Sequence, residues 1–154
     1  MLHDVLGVID RGETDSRDGV ATIRYESREI KIQIIPDDQP FERSVELAAE
    51  VVARLAELDK TAKRAIVADL RDVYNDSWRE YERVEEDGSR KLVSNPELSK
   101  NEFEAKFSLN GIDVIGSDIV DFFYDDCGLF SGHHVVVNSL NGTDFSDARA
   151  EFFG

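Results

Sequence analysis

A chain of 154 residues that is 41% hydrophobic, with nine Phe and four Tyr, has enough length and apolar mass to bury a core without disulfide or metal staples, which excludes an unfolded acidic tail. The formal net charge of -15, from 33 acidic against 18 basic side chains, argues against bare nucleic acid and anionic membranes as partners and points to basic proteins or small molecules. A single cysteine forms no internal disulfide, the first residues hold no basic segment followed by an apolar run, and no apolar stretch approaches bilayer length, so one cytoplasmic domain over 1–154 is expected.

In chain order, Asp4 to Ile9 predicts a short strand and Arg11 to Gly19 a charged loop. Val20 to Tyr25 and Arg28 to Ile35 alternate around Glu26-Ser27, with Ile30, Ile32 and Ile34 on one face and Glu29, Lys31 and Gln33 on the other, as in an antiparallel sheet with one wet face. Asp37-Asp38-Gln39-Pro40 marks a helix start near Phe41, because anions and a proline suit the first turn. Val45, Ala48, Val52, Leu55 and Leu58 give that helix its apolar stripe, with Glu46, Glu50, Arg54 and Glu57 outside it. After a connection at Asp59-Lys60-Thr61, a second helix carries Ala62, Ile66, Leu70, Val73 and Tyr74, and so short a link predicts antiparallel neighbours.

Asn75-Asp-Ser-Trp78 is expected to end or kink the second helix, and the charged run Arg79 to Gly88 is expected to be the least ordered part of the chain. Ser99-Lys-Asn-Glu102 fits a capping box for a short helix from Lys100 to about Phe107. Strands return at Ile112 to Ile115, Ile119 to Tyr124 and His133 to Leu140, closed by turns at Gly116-Ser-Asp118 and Asn141-Gly142. The segment ending in Phe152-Phe153 fits either strand or helix. Strands, then helices, then strands predict an α+β fold: a mainly antiparallel sheet from the N- and C-terminal strands with two central helices packed on one face.

The rarest chemistry gathers at one joint, where Asp125, Asp126, Cys127, His133 and His134 lie between two apolar runs. A thiol, an imidazole and a carboxylate are the parts of an activated nucleophile, but an acidic setting raises a thiol pKa rather than lowering it. The same side chains suit a metal ion, yet adjacent residues on a strand point to opposite faces, so His133 and His134 do not reach one ion without a bulge. Gly128 to Gly132 lacks the lysine of a phosphate-cradling loop and reads as a turn. Trp78, after a helix end, is a candidate binding aromatic. The last third holds eight acids against Lys106 and Arg149 alone, so its carboxylates cannot all be paired within the segment.

Gly128-Leu-Phe-Ser-Gly-His-His134, running into Val135-Val-Val137 and closing on Gly154, resembles the bacterial family catalogued as domain of unknown function 2262. The strand at Gly7, the strand from Ile30 to Ile35, the two central helices and Asn75-Asp-Ser-Trp78 extend the similarity along nearly the whole chain. What the resemblance implies is a bacterial intracellular α+β protein in which Phe130, Gly132 and His133 matter for structure or site. It implies no activity, because the family has none assigned.

The expected function is therefore a non-enzymatic protein-binding module of the immunity or inhibitor type that engages a basic partner. Its candidate binding residues are Asp125, Asp126, Phe130, His133, His134 and Trp78, with no catalytic residue, metal ligand or cofactor assigned. The alternative is a small metal- or Cys/His-dependent enzyme with its site at residues 125 to 134.

Overall fold

Alternation of isoleucines with polar residues builds the central strands. In the computed structural model, which describes residues 1–12 and 17–153, β1 (Leu2–His3), β2 (Gly7–Asp10), β3 (Gly19–Tyr25) and β4 (Arg28–Ile35) form an antiparallel meander, with Ile30, Ile32 and Ile34 fully buried. Part of the expected loop, 13–16, and Gly154 lie outside the described residues. Gly19 is required by close packing, since a Cβ there would come within 2.9 Å of Ile9 and of the Phe41 ring.

After β4 the chain leaves the sheet for α1 (Phe41–Ala53), α2 (Leu55–Ser77), β5 (Glu80–Val84), β6 (Arg90–Ser94) and α3 (Lys100–Glu104). It re-enters with β7 (Ser108–Ile115), β8 (Ile119–Asp125), β9 (His134–Ser139) and β10 (Arg149–Phe153). The result is an eight-stranded sheet in the order β1-β2-β3-β4-β7-β8-β9-β10, with β5 and β6 as a separate two-stranded ribbon. Every neighbouring pair is antiparallel except β4–β7, which the long helical crossover makes parallel. This is the expected α+β architecture, with α1 on β4 and β7 and α2 against β9 and β10. The ambiguous last segment is a strand: its Ala150 amide donates to Asp69 Oδ2 of α2 at 2.9 Å, so the helix covers that sheet edge.

The helices differ from the expected antiparallel pair. They meet at one residue, Arg54, whose amide still donates to Glu50 O at 3.2 Å and whose carbonyl accepts from Leu58 N at 2.9 Å, so the junction is a bend and not a reversal. The expected connection at residues 59–61 lies inside α2, where Asp59 is only 3% exposed. Its carboxylate accepts from Tyr25 Oη at 2.8 Å and Tyr124 Oη at 2.6 Å, with Lys63 Nζ at 3.6 Å, and so ties α2 to β3 and β8. Burial first, and then Asp59, push both phenol pKa values up, so each hydroxyl keeps the proton that it donates. Ser44, fully buried, donates to Gly116 O at 2.6 Å and fixes α1 to the β7–β8 turn.

The capping box before α3 is formed as expected: Ser99 Oγ accepts from Glu102 N at 3.2 Å, and Glu102 Oε1 from Ser99 N at 3.1 Å. That helix ends at Glu104, short of the expected Phe107, which is buried beyond it. Val73 also departs from the expected stripe and is 38% exposed. The charged run expected to be least ordered is instead an antiparallel ribbon with register Tyr81↔Val93, turning at Asp87-Gly88.

Candidate functional site

Trp78 is the residue where α2 stops, its amide donating to Tyr74 O at 3.0 Å. The half-buried indole meets Phe130, His133 and Phe152 at centroid distances of 5.5, 5.7 and 5.7 Å, the first two edge-on, which suits ring quadrupoles. Phe130 is fully buried and also packs on Tyr74, Phe103 and Phe107. It is a core residue that holds Trp78.

The segment that delivers Phe130 is a tightly wound turn. Asp126, 6% exposed, accepts from Gly128 N at 2.8 Å and from Phe130 N at 2.9 Å, so both oxygens serve the backbone. Asp125 accepts from Cys127 N at 3.1 Å. Cys127 and Ser131 hold φ of 53°, a conformation that costs a residue with a Cβ and that this network over-determines. Gly132, at φ 89°, stands where a side chain would be strained, and His133 N then donates to Phe130 O at 3.1 Å.

The joint therefore does not converge as a catalytic set. His133 is exposed beside Trp78, whereas His134 opens β9 and lies against Phe153 at 5.3 Å. The Cys127 thiol is exposed, and no hydrogen bond among the described residues joins it to either imidazole. Among the described residues, no three His, Cys, Asp or Glu side chains come together in a way that would hold a metal ion. Of the six candidate residues, Asp125, Asp126 and Phe130 brace the turn and His134 belongs to the neighbouring strand. Trp78 and His133 remain as a surface pair.

Trp78, but not His133, borders a cleft of about 440 Å³ lined also by Tyr81, Leu98, Lys106, Cys127 and Leu129, among others. Its far wall is the root of the β5–β6 ribbon. Asn75 clamps the root by accepting from Leu98 N at 3.1 Å and donating to Leu98 O at 3.3 Å. Arg79 donates to Asn75 O at 2.8 Å and to Asn95 O at 3.1 Å, while Asn95 N returns to Arg79 O at 2.8 Å. Beyond this clamp the ribbon stands clear of the body: of its paired residues only Val93 is even half-buried, and Tyr81, Val84 and Leu92 are 44%, 67% and 65% exposed. Sequence reasoning missed Tyr81, Asn95 and Lys106. The signal available for the first was Asp87-Gly88 flanked by Tyr81, Val84, Leu92 and Val93, a hairpin signature masked by the surrounding charge.

The carboxylates are unevenly compensated. Five ion pairs form among the described residues, and none includes Asp38, Glu42, Glu46 or Glu50, which repeat every four residues along the exposed side of α1 and its entry. Like charges at that spacing weaken a helix. On the bare face of the sheet Asp113 and Asp121 are cross-strand partners, and burial followed by the Asp121 charge raises the Asp113 pKa. No helix among the described residues is long and apolar enough to cross a membrane.

A model of the family described as uncharacterized protein conserved in bacteria (DUF2262) matches residues 4–149. No curated protein and no solved structure matches the chain.

Proposed function

The chain belongs to this bacterial DUF2262 family, and from that premise we propose that it is a non-enzymatic protein-binding module of the immunity or inhibitor kind whose carboxylate-rich exterior engages a basic partner protein. The observation that carries the reading is the ridge of Asp38, Glu42, Glu46 and Glu50, exposed and outside every ion pair of the described residues. A helix that keeps like charges at four-residue spacing accepts a cost to its own stability, which is offset when cations of a partner arrive. A surface of this kind steers a basic protein towards it and speeds encounter, and the net charge of -15 repels nucleic acid and anionic lipid. In this reading the protein works in the bacterial cytoplasm and needs no cofactor.

The test is affinity capture from the native bacterium, followed by association kinetics with the recovered protein. The expected partner is basic, its association rate falls as salt rises, and Glu42→Lys/Glu46→Lys/Glu50→Lys slows association at low salt. An acidic or neutral partner whose association ignores both salt and the triple reversal overturns the reading.

A further inference from the structure

The large sheet has its ends managed, with the two-residue β1 at one end and α2 holding the Ala150 amide at the other. The ribbon does the opposite. Asn95 N donates to Arg79 O and Glu85 N donates to Ser89 O, both at 2.8 Å, which makes 79, 81, 83 and 85 the inward-facing positions of the ladder. The amides and carbonyls of Glu80, Glu82 and Val84 therefore point out of the β5 edge, and no described group takes them. A two-stranded ribbon by itself is marginally stable in water. Here the clamp of Asn75, Arg79 and Asn95 anchors the root of the ribbon and leaves the β5 edge open.

We propose that this β5 edge is a strand-addition site that takes an extended segment of the basic partner, a deepening that rests on the function proposed above. The chemistry of the edge sets the segment's pattern. Side chains of an added strand that fall on the Glu80, Glu82 and Val84 face meet two carboxylates, so that face selects Lys or Arg at alternate positions. The intervening residues fall beside Tyr81, where the cleft with Trp78 and Leu98 accepts apolar groups. The Glu82–Arg90 pair at 3.3 Å is exposed on both sides and does not compete strongly. A net charge of -15 disfavours a second copy of the chain as the occupant. The partner is thus read by backbone pairing, with alternating basic and apolar side chains for register, while the α1 ridge contributes steering.

The experiment uses the full chain and a short soluble peptide alternating Lys and Val, with amide hydrogen exchange followed residue by residue. Binding is expected to slow exchange at Glu82 and Val84, and N-methylation of alternate peptide amides is expected to abolish that protection. Glu80→Lys/Glu82→Lys, both on an exposed strand, is expected to weaken the Lys–Val peptide about tenfold and to favour a Glu–Val peptide instead. Peptide binding that leaves Glu82 and Val84 exchanging freely but responds to the α1 reversal sinks the strand-addition site and leaves the acidic-surface reading standing. No peptide binding also overturns the site, as does protection that appears with rising protein concentration alone, which would make a second copy the occupant.

Discussion

Two antiparallel hairpins in this molecule, β5–β6 and β8–β9, pair their two strands in the same antiparallel way and live in opposite environments. In β8–β9, Val120, Phe122, Tyr124, Val135 and Val137 are at most 1% exposed, and the connecting turn buries Phe130 completely. In β5–β6 every paired residue but Val93 is exposed, and attachment runs through one clamp at the root. Hydrogen-bond pairing alone therefore says little about how much a hairpin contributes to stability. What separates the two is apolar area removed from water, and the hairpin that removes little is free to offer its edge.

Substitutions test that contrast, beginning where burial is greatest. Phe130→Ala empties the centre of the aromatic cluster and is expected to cost about 3 to 5 kcal/mol in denaturant unfolding, with Trp78 emission shifting to the red as its packing partner is lost. Asp59→Ala leaves the Tyr25 and Tyr124 hydroxyls without their acceptor, and an expected loss of about 3 kcal/mol would show in the same unfolding curves. Asp126→Ala strips acceptors from the Gly128 and Phe130 amides and should cost about 2 kcal/mol. A loss near zero would mean that the turn is held by Phe130 alone.

Asp113→Asn is expected to act in the other direction. Asp113 has a folded-state pKa above its ordinary value of 3.8, so folding favours its protonated form. The stability it contributes is present below the unfolded value and is lost as pH rises through the raised, folded one. At neutral pH the neutral amide removes the repulsion from Asp121, and a gain of about 0.5 kcal/mol is expected after allowing for solvent screening. In thermal melts the advantage should vanish below the ordinary carboxylate range. An advantage that persists in acid would point to the shape of the amide and not to charge. The smallest effect is expected on the ribbon, where Val84→Ser/Leu92→Ser should change stability by less than about 0.5 kcal/mol. A larger loss would show that the ribbon packs on the body after all.

What the residues alone determined was local and periodic. Isoleucine alternation set β4, the apolar stripe and Pro40 set the start of α1, Ser99 and Glu102 capped α3, and the glycines of 128–132 marked a turn. Asn75-Asp-Ser-Trp78 and Phe-Ser-Gly-His133 were already legible as a pair of motifs, and they do lie together, through the Trp78 contacts with Phe130 and His133. Three things had to wait for tertiary structure. Asp59 looked like a helix break because an aspartate favours turns, but two tyrosines from strands 34 and 65 residues away turn it into an anchor inside α2. The charged run after Trp78 looked unstructured because its charge masked the local hairpin residues, and the clamp that roots it joins Asn75 and Arg79 to Asn95 and Leu98 across the run. The candidate residues of the joint could not be sorted by type, because identical carboxylates become scaffold or surface according to which amides happen to face them. Periodicity is a property of neighbours in sequence, whereas anchoring, exposure and convergence depend on what long-range contacts bring alongside.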